Sequence, residues 1–263
     1  MNILLISEYY PPDQVGASTR VSILIKELIK YHKVTLITGS PHYPKPKKPD
    51  LNFLNPIKIY QKQNFKIIKI WIPEIKMDST LGRLFNYYYF TFFFILGLPY
   101  VSEKPDFIWG TSPNVFCGFT AKIARFFLGG IPIVNIDDIW PEGAIDFGFL
   151  TSKFSRCLAE ALANASLNRI KIITTISESI SKYYRRKYQI PEIYMIPVGI
   201  EKQRLSKLIH LKSNFKKKEI NFPKNEIILM YSGKLGRGYD FEIMIHAFKI
   251  LQEDDDSAIK LII

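Results

Sequence analysis

The stretch NILLISEYYPPDQVGASTRVSILIKELI, residues 2–29, predicts the first repeating unit of the fold. A short apolar run at Asn2–Ser7 has the composition of a buried strand, and the segment after it carries the Pro and Gly residues of a loop. Apolar side chains then recur at helical spacing, with Ser18 or Thr19 as the expected N-cap. These helical positions are Val21, Leu24, Ile25, Leu28 and Ile29. The stretch therefore predicts a strand, a loop and a helix.

The same alternation of strand and helix continues as far as about residue 200. Further strands are predicted at 33–38, 65–72, 106–112, 131–137, 171–177 and 193–197. Further helices are predicted at 115–128, 153–168 and 178–187. This order predicts an α/β protein with a Rossmann-like, mostly parallel sheet and helices on both faces, and it assigns residues 1–200 to one domain.

The last part of the chain begins a second unit. Residues 227–263, IILMYSGKLGRGYDFEIMIHAFKILQEDDDSAIKLII, show the pattern of a strand, a Gly-containing turn, a helix and another strand. We expect 201–224 to be a basic linker and 225–263 to be the first βαβ of a second Rossmann-like domain. Because a complete domain of this kind needs on the order of 100 more residues, we expect the second domain to be truncated.

The 263 residues carry a net charge of +12, which is concentrated in two windows. Residues 44–76 hold eight basic and two acidic side chains, and 201–224 hold the same numbers, so each window contributes +6. Two interpretations stay open: solvated loops, or attraction to an anionic surface such as a membrane leaflet. The sequence has no recognition-helix, RNA-recognition or zinc signature, which argues against nucleic acid as a partner.

Cysteine and histidine are too scattered for a disulfide or metal framework. Cys117 and Cys157 form no CxxC pair, and the four histidines have no metal-ligand spacing. The first residues lack the basic region and cleavage site of a secretory signal. We therefore expect reduced thiols, no bound metal and a cytoplasmic location.

The segment LFNYYYFTFFFILGLPYV, residues 84–101, interrupts the alternation and carries no charge. Its length approaches the roughly 20 apolar residues that a membrane span needs. Three interpretations stay open: a buried core helix, a helix at the membrane interface, or a true span. Arg83 and the nearby basic window favour interfacial contact, so we expect a peripheral protein on the inner face of the cytoplasmic membrane.

The loops at the carboxyl ends of the strands are the candidate sites, because ligands gather there in an open parallel sheet. The first of these loops presents Gly16, Ala17 and Ser18 at a helix N-terminus. This arrangement suits phosphate or a carboxylate, although a simple turn glycine explains Gly16 equally well. The sequence has no GxGxxG after the first strand and no GxxxxGK[ST], which argues against dinucleotide and Walker-type sites.

Two further loops carry charged groups. DDIWPEGAIDF, residues 137–147, holds four carboxylates after a strand. Acid–base catalysis needs a carboxylate beside the reacting group, but helix capping or solvation explains any one of these residues equally well. GKLGRG, residues 233–238, places Lys234 and Arg237 among three glycines before a helix, as possible phosphate partners.

Seven stretches together resemble the retaining glycosyltransferases of family 4, and they cover nearly the whole chain. They are ILLISEYYPPDQVGASTRV (3–21), VTLITGSPHYP (34–44), GTSPNVF (110–116), DDIWPEGAIDFGFL (137–150), ITTISESI (173–180), IPVGIE (196–201) and YSGKLGRGYDFEIMIHAF (231–248). The nearest resemblance is to bacterial enzymes of O-antigen or capsule synthesis, including the L-fucosamine (N-acetylfucosaminyl) transferases.

The resemblance implies a GT-B fold, in which two Rossmann-like domains face a cleft. It also implies transfer of a sugar from a nucleotide-diphosphate sugar, such as a UDP-sugar, to a lipid-linked saccharide acceptor, without a cofactor or metal. We expect Asp138 and Glu142 to be catalytic. The expected substrate-binding residues are Gly16, Ala17, Ser18, Arg20, Ser112, Glu178, Gly233, Lys234 and Arg237.

The sequence departs from the family pattern in two places. Asp137 stands where the family usually has a basic residue before the loop aspartate. The pair of glutamates that grips the donor sugar and ribose would lie in the part of the second domain that we expect to be missing. An alternative function is therefore a non-catalytic acceptor-binding half, or a subunit that needs a second chain for activity.

Overall fold

The computed structural model describes residues 1–43, 51–73, 80–200, 205–210, 227–233, 240–254 and 259–263. The chain forms two compact units, Met1–Ile200 and Glu201–Ile263, and each is described by itself. Within the predicted linker, 205–210 is helical, and the rest of 201–224 lies outside the described residues. The lysine cluster at 45–48 also lies outside them.

An eight-stranded sheet forms the centre of the first unit. Its strands are β1 (Asn2–Ser7), β2 (Lys33–Gly39), β3 (Ile57–Lys62), β4 (Phe65–Ile70), β5 (Phe107–Thr111), β6 (Ile131–Ile136), β7 (Ile172–Thr175) and β8 (Glu192–Met195). They lie in the order β3-β4-β2-β1-β5-β6-β7-β8. Every neighbouring pair is parallel except β3 and β4, which are antiparallel. The predicted α/β fold with a mostly parallel sheet is confirmed.

The antiparallel strand β3 is missing from the predicted pattern because it lies at the edge of the sheet. Its side chains are half-buried or exposed, so it lacks the apolar run that marks an interior strand. A tight turn joins it to β4, and Gln63 in that turn adopts a left-handed backbone conformation with φ 43°. Pairing with β4, rather than burial, therefore makes this segment a strand.

Helices cover both faces of the sheet, as predicted. They are α1 (Gly16–Leu28), α2 (Thr80–Phe93), α3 (Cys117–Leu128), α4 (Glu142–Asp146), α5 (Lys153–Leu167) and α6 (Glu178–Tyr188), with a 3₁₀ helix at Phe94–Tyr100. On β1, Leu4 and Ile6 join the larger core, which contains side chains from α2, α3, α5 and α6. Ile3 and Leu5 join the smaller core under α1. Successive strand residues face opposite ways, so β1 is buried on both sides.

The segment 84–101 has one side buried in the core, and large apolar side chains also lie on its exposed side. It forms most of α2 and the whole 3₁₀ helix. Phe90, Phe94 and Leu98 are buried in the larger core. The large side chains that remain exposed are Phe85, Tyr88, Phe92, Leu96 and Tyr100. Within the described ranges, no helix has both the length and the apolarity to cross a membrane.

The described part of the second unit contains a βαβ arrangement. Strand β9 (Ile227–Met230) pairs in parallel with β10 (Ile259–Ile262), and α7 (Phe241–Asp254) lies between them in the chain. Parallel pairing requires a crossover between the strands, which the helix supplies. The predicted order of strand, helix and strand is confirmed for this unit.

Gly118 in α3 packs directly against the backbone of α5. A Cβ atom placed on Gly118 would lie 2.2 Å from the backbone oxygen of Ser166 in α5. A carbon atom and a carbonyl oxygen cannot approach so closely without a shift of the backbone. The absence of a side chain at Gly118 therefore allows α5 to pack on α3.

We expect Gly118→Ala to lower the free energy of unfolding by about 1–3 kcal/mol, because the new methyl group overpacks the contact between α3 and α5. Gly143→Ala is the matched control, since a Cβ atom at Gly143 in α4 meets nothing within 4 Å. The control should be neutral, or more stable by up to about 1 kcal/mol, because alanine favours helix more than glycine does. Urea denaturation followed by circular dichroism measures both, and equal midpoints for the two variants would contradict this packing.

Candidate active site

The carboxyl ends of the parallel strands meet at one edge of the sheet, and the chain changes direction there. Strand β1 lies between β2 and β5, so the connections that leave β1 and β5 turn to opposite sides. A crevice forms at such a switch point, and it is where ligands bind in open α/β sheets. The loop that contains Gly16 follows β1, and the loop that contains Ser112 follows β5. Two of the predicted loops therefore flank the switch point.

Helix α1 begins beside this crevice without a side-chain cap. Its N-cap residue is Val15, whose side chain has no atom to accept a hydrogen bond from the first amides, so the expectation of Ser18 or Thr19 as N-cap is wrong. Gly16 is exposed, and a Cβ atom placed on it would meet nothing within 4 Å. Ala17 is half-buried, and Ser18 is buried within the first turn of the helix. Helix α1 therefore begins with an exposed Gly16 and without a side-chain cap on its first amides.

Arg20 is engaged by other groups of the protein. It is buried, forms an ion pair with Asp137, and donates a hydrogen bond from Nη2 to the backbone oxygen of Ile196 at 3.1 Å. Burial lowers the pKa of the Arg20 guanidinium below its ordinary value. Arg20 thus ties α1 to the loop after β6 and to the end of β8.

The loops after β1 and β6 come together although their strands are not adjacent. The sequence predicts that the two loops line one cleft at the carboxyl ends of neighbouring strands. The loops do meet, but their strands are not neighbours, because β5 lies between β1 and β6. The ion pair between Arg20 and Asp137 spans the intervening strand. An acidic residue at 137 therefore has a structural partner on α1.

A chain of hydrogen bonds continues from Asp137 along the edge. Ser112 Oγ accepts from the backbone N–H of Asp137 at 3.0 Å, so the loops after β5 and β6 are joined. Asn135 Nδ2 donates to Asp137 Oδ1 at 2.9 Å, and Asn135 Oδ1 accepts from Thr174 Oγ1 at 2.9 Å. Ser112 thus supports the loop at residues 137–147, which we call the carboxylate loop.

The two predicted catalytic carboxylates occupy different environments. Asp138 is exposed, and desolvation by the surrounding protein raises the pKa of its carboxyl. Glu142 forms an ion pair with Lys187 of α6. Desolvation raises the pKa of Glu142, but the hydrogen bonds from Lys187, Tyr183 and the backbone, together with the charge of Lys187, leave the pKa below its ordinary value. Asp138 is therefore better suited than Glu142 to take up a proton.

Tyr184 of α6 holds the carboxylate loop in place, a role that the sequence analysis does not predict. Its buried hydroxyl donates to the backbone oxygen of Asp138 and accepts from the backbone N–H of Trp140, both at 3.2 Å. The ring stacks on Tyr188 with centroids 5.4 Å apart. A tyrosine in an apolar helix stripe normally indicates core packing, so no signal in the sequence distinguishes this contact.

Of the remaining predicted residues, Glu178 lies in the first unit and the other three lie in the second unit. Glu178 begins α6, is exposed, and pairs with Lys182 at 2.9 Å. Gly233 is exposed in the second unit, while Lys234 and Arg237 lie outside the described residues. In the part of the chain that the structure covers, no three His, Cys, Asp or Glu side chains are grouped to hold a metal ion. The expected lack of a metal and of a cofactor stays a prediction.

The first unit has a Rossmann-like α/β fold, in which the topological switch point between β1 and β5 is the expected place for a ligand. The chain belongs to glycosyltransferase family 4, since the Glycosyltransferase Family 4 signature matches residues 15–204. This match includes the start of α1, the loops after β5 and β6, and all of α6.

One similar curated protein is the "Putative colanic acid biosynthesis glycosyl transferase WcaI" of Escherichia coli (strain K12). It is 24% identical over 269 residues, which cover 97% of this chain and 64% of the relative. The chain thus spans less than two thirds of the length of this relative.

Two solved structures share the fold. Sucrose-phosphate synthase from Thermosynechococcus elongatus has a TM-score of 0.61 at 15% identity, over 99% of this chain and 61% of that one. The Candida albicans trehalose-6-phosphate phosphatase N-terminal domain has a TM-score of 0.59 at 12% identity, over 99% of this chain and 63% of that one. These likenesses support the GT-B-like fold and carry no information on substrate.

We expect Tyr184→Phe to lower the free energy of unfolding by about 1–3 kcal/mol, because the substitution removes two hydrogen bonds and leaves the N–H of Trp140 without its acceptor. Tyr194→Phe is the control, since its hydroxyl bonds the exposed Glu192 at 3.0 Å, an interaction at the protein surface. Urea denaturation should show a shift for the first variant and almost none for the second. Equal stability of Tyr184→Phe and the unsubstituted protein would show that the loop does not depend on this hydroxyl.

Proposed function

We propose that this chain is a nucleotide-sugar-dependent glycosyltransferase of bacterial surface polysaccharide synthesis. Its donor is a UDP-sugar or a similar nucleotide-diphosphate sugar, and its acceptor is a lipid-linked saccharide. The observation that carries the proposal is the uncapped start of α1 at the switch-point crevice, in a chain of glycosyltransferase family 4. Membership in the family supports the reaction class, and the crevice supplies a place for the donor.

The start of α1 is suited to the donor diphosphate. The first N–H groups of a helix and its dipole attract anions, and Gly16 leaves its backbone accessible. Ala17 and Ser18 contribute the next two amides, while Arg20 acts through Asp137 to hold the helix in place. Lys234 and Arg237 are proposed as further phosphate partners from the second unit, with Gly233 as the turn residue before them. Glu178 is proposed as a further residue that contacts the substrate.

The proposed reaction breaks the bond between the sugar C1 and the diphosphate oxygen and forms a bond from C1 to an acceptor hydroxyl oxygen. The hydroxyl proton leaves as this bond forms, and Asp138 is the side chain proposed to receive it. Negative charge grows on the departing diphosphate, where the amides of α1 would stabilise it. Glu142 is proposed to hold the loop through Lys187. We propose retention at C1 and an N-acetylfucosamine-type sugar from the resemblance alone.

The proposed location is the inner face of the cytoplasmic membrane, without a span. The exposed aromatic face of α2, defined as Phe85, Tyr88 and Phe92, is the contact proposed to enter the lipid interface. Side chains three or four positions apart lie on one side of a helix, so these three share a face. Lysines at 45–48 are proposed to add attraction to anionic headgroups.

Gly16→Ala tests the donor site. The new methyl group has free space in the protein, so stability should stay unchanged, while a diphosphate seated on the amides would collide with it. We expect UDP-sugar affinity to fall at least about tenfold, as for the loss of a charge-assisted hydrogen bond. The control is Thr19→Ala, exposed in the same turn. Calorimetric titration measures the affinity, and equal affinities for both variants would contradict the site.

Transfer itself is tested with radiolabelled UDP-sugars and a lipid-linked disaccharide acceptor. Turnover that falls in Asp138→Asn would support the proposed function, and the anomeric configuration of the product would decide retention. Acceptor binding without turnover, followed by activity on addition of a second chain, would favour the alternative of a non-catalytic half. Absence of both binding and turnover would contradict the proposal.

Flotation with liposomes tests the membrane contact. We expect the protein to float with vesicles that contain anionic lipid and to dissociate at 1 M salt, because exposed charges are screened beyond about 3 Å there. Substitution of Phe85, Tyr88 and Phe92 by Ser should abolish flotation. Tyr31→Ser is the control, because this exposed side chain follows α1 on the opposite face of the sheet. Undiminished flotation of the triple variant would rule out α2 as the contact.

A further inference from the structure

A buried polar cluster joins three loops of the carboxyl edge to helix α2. Glu8, directly after β1, is fully buried. Its Oε1 lies 3.3 Å from His42 Nε2 in the loop after β2, and its Oε2 accepts from Asn114 Nδ2 at 3.0 Å in the loop after β5. A buried carboxyl group without partners is costly, so these contacts are required for the fold to accept Glu8.

Asn114 also contacts the backbone of α2. Its Nδ2 lies 3.1 Å from the backbone oxygen of Tyr87, and its Oδ1 accepts from the backbone N–H of Phe116 at 2.9 Å. A side-chain amide nitrogen carries two hydrogens, which match the Glu8 carboxylate and the Tyr87 carbonyl. Asn114 itself is buried, so both bonds are shielded from water.

His42 and Glu8 share a proton in this arrangement. His42 Nδ1 lies 2.8 Å from the backbone oxygen of Ser40, which can only accept, so Nδ1 carries a hydrogen. The contact between Nε2 and Glu8 then needs one more proton, on the imidazole or on the carboxyl. Tyr9 stacks on the His42 ring at 4.9 Å between centroids, and it is buried as well.

In the described part of the cluster, the ionisable groups around Glu8 belong to three elements. Tyr9 and Asp13 lie in the loop after β1, His42 in the loop after β2, and Tyr87 in α2. Burial raises the pKa of Glu8 in spite of its hydrogen bonds from His42 and Asn114. Burial alone would lower the pKa of His42, but the hydrogen bonds to Glu8 and to the Ser40 backbone, together with the charges of Glu8 and Asp13, raise that pKa.

We propose that Asn114 is a positioning residue that sets the place of α2 relative to the loops of the candidate active site. It does so by donating one amide hydrogen to the buried Glu8–His42 pair and the other to the α2 backbone. The contacts stand independently of the proposed function. Within that function, they connect the helix proposed to contact lipid with the loops proposed to bind the donor and acceptor.

Two variants of Asn114 distinguish the effect of its hydrogen-bond donors from the effect of its side-chain shape. Asn114→Leu removes the donor, so the amides of α2 should exchange hydrogen about tenfold faster at every pH. Asn114→Asp has no donor when ionised and lies beside Glu8, but its protonated form regains an O–H donor. Burial beside Glu8 raises the folded-state pKa of the introduced carboxyl. Its stabilising contribution is therefore present at low pH and lost as the pH rises.

Hydrogen exchange of the full chain by mass spectrometry, corrected for intrinsic rates, measures this at pH 5 and pH 8. We expect α2 in Asn114→Asp to be about tenfold better protected at pH 5 than at pH 8, because the protonated carboxyl supplies one of the two donors of asparagine and the ionised carboxyl supplies none. Asn135→Leu is the control for general loss of stability, because Asn135 is buried at the same edge and bonds Asp137 and Thr174 instead of α2.

The outcomes are distinct. Selective loss of protection in α2 for the Asn114 variants, with the pH dependence confined to Asn114→Asp, supports the proposal. Equal loosening of α2 in Asn135→Leu, or no pH dependence in Asn114→Asp, overturns it. If Asn114→Leu does not fold, the pH comparison in Asn114→Asp decides alone, and failure of that variant to fold even at pH 5 also overturns the proposal. UDP-sugar binding is not a readout here, so the proposed function can fail without affecting this result.

Discussion

The buried carboxyl group of Glu8 is the constraint on which the carboxyl edge of the sheet depends. It lies where β1, buried on both faces, ends beside β2 and β5. Because it cannot reach water, the loops after both neighbouring strands must supply partners, and His42 and Asn114 do so. Asp13 reinforces the same junction, since its Oδ1 accepts from the backbone N–H groups of His42 and Tyr43 at 2.9 Å. The geometry of three loops thus follows from one buried group.

A second interaction crosses the switch point on the face of the sheet that α1 covers. The Arg20–Asp137 ion pair connects α1 to the loop after β6 over the intervening β5, and burial shields it from screening by salt. Tyr184 and Lys187 hold the same loop from α6, on the other face of the sheet. The exposed carboxyl of Asp138 is therefore supported from both faces of the sheet. The role proposed for Asp138 requires such a fixed support, because small displacements of a catalytic group reduce catalysis strongly.

The fold was largely predictable from local pattern, and the candidate site only in part. Apolar runs such as Asn2–Ser7 and the helical spacing from Val21 onward identify interior strands and helices, because burial imposes those periods directly. Strand β3 could not be predicted in this way, because a strand at the edge of a sheet need not be apolar. The loops at Gly16, Ser112 and Asp138 were predictable as a group, since parallel strands bring their carboxyl ends to one edge. Which strands lie next to one another in the sheet was not predictable, because the order of strands along the chain does not give their order in the sheet.

By itself, the sequence determined the α/β class, the position of the loops at one edge, the membership in glycosyltransferase family 4 and the excess of positive charge. Only the tertiary structure decided which side chains reach one another. Arg20 and Asp137 are separated by more than a hundred positions, as are Glu8 and Asn114 at the other junction. Local periodicity reports whether a side chain faces the core or water. It carries no information on which distant group shares its pocket, because that depends on the order of strands and the packing of helices around them.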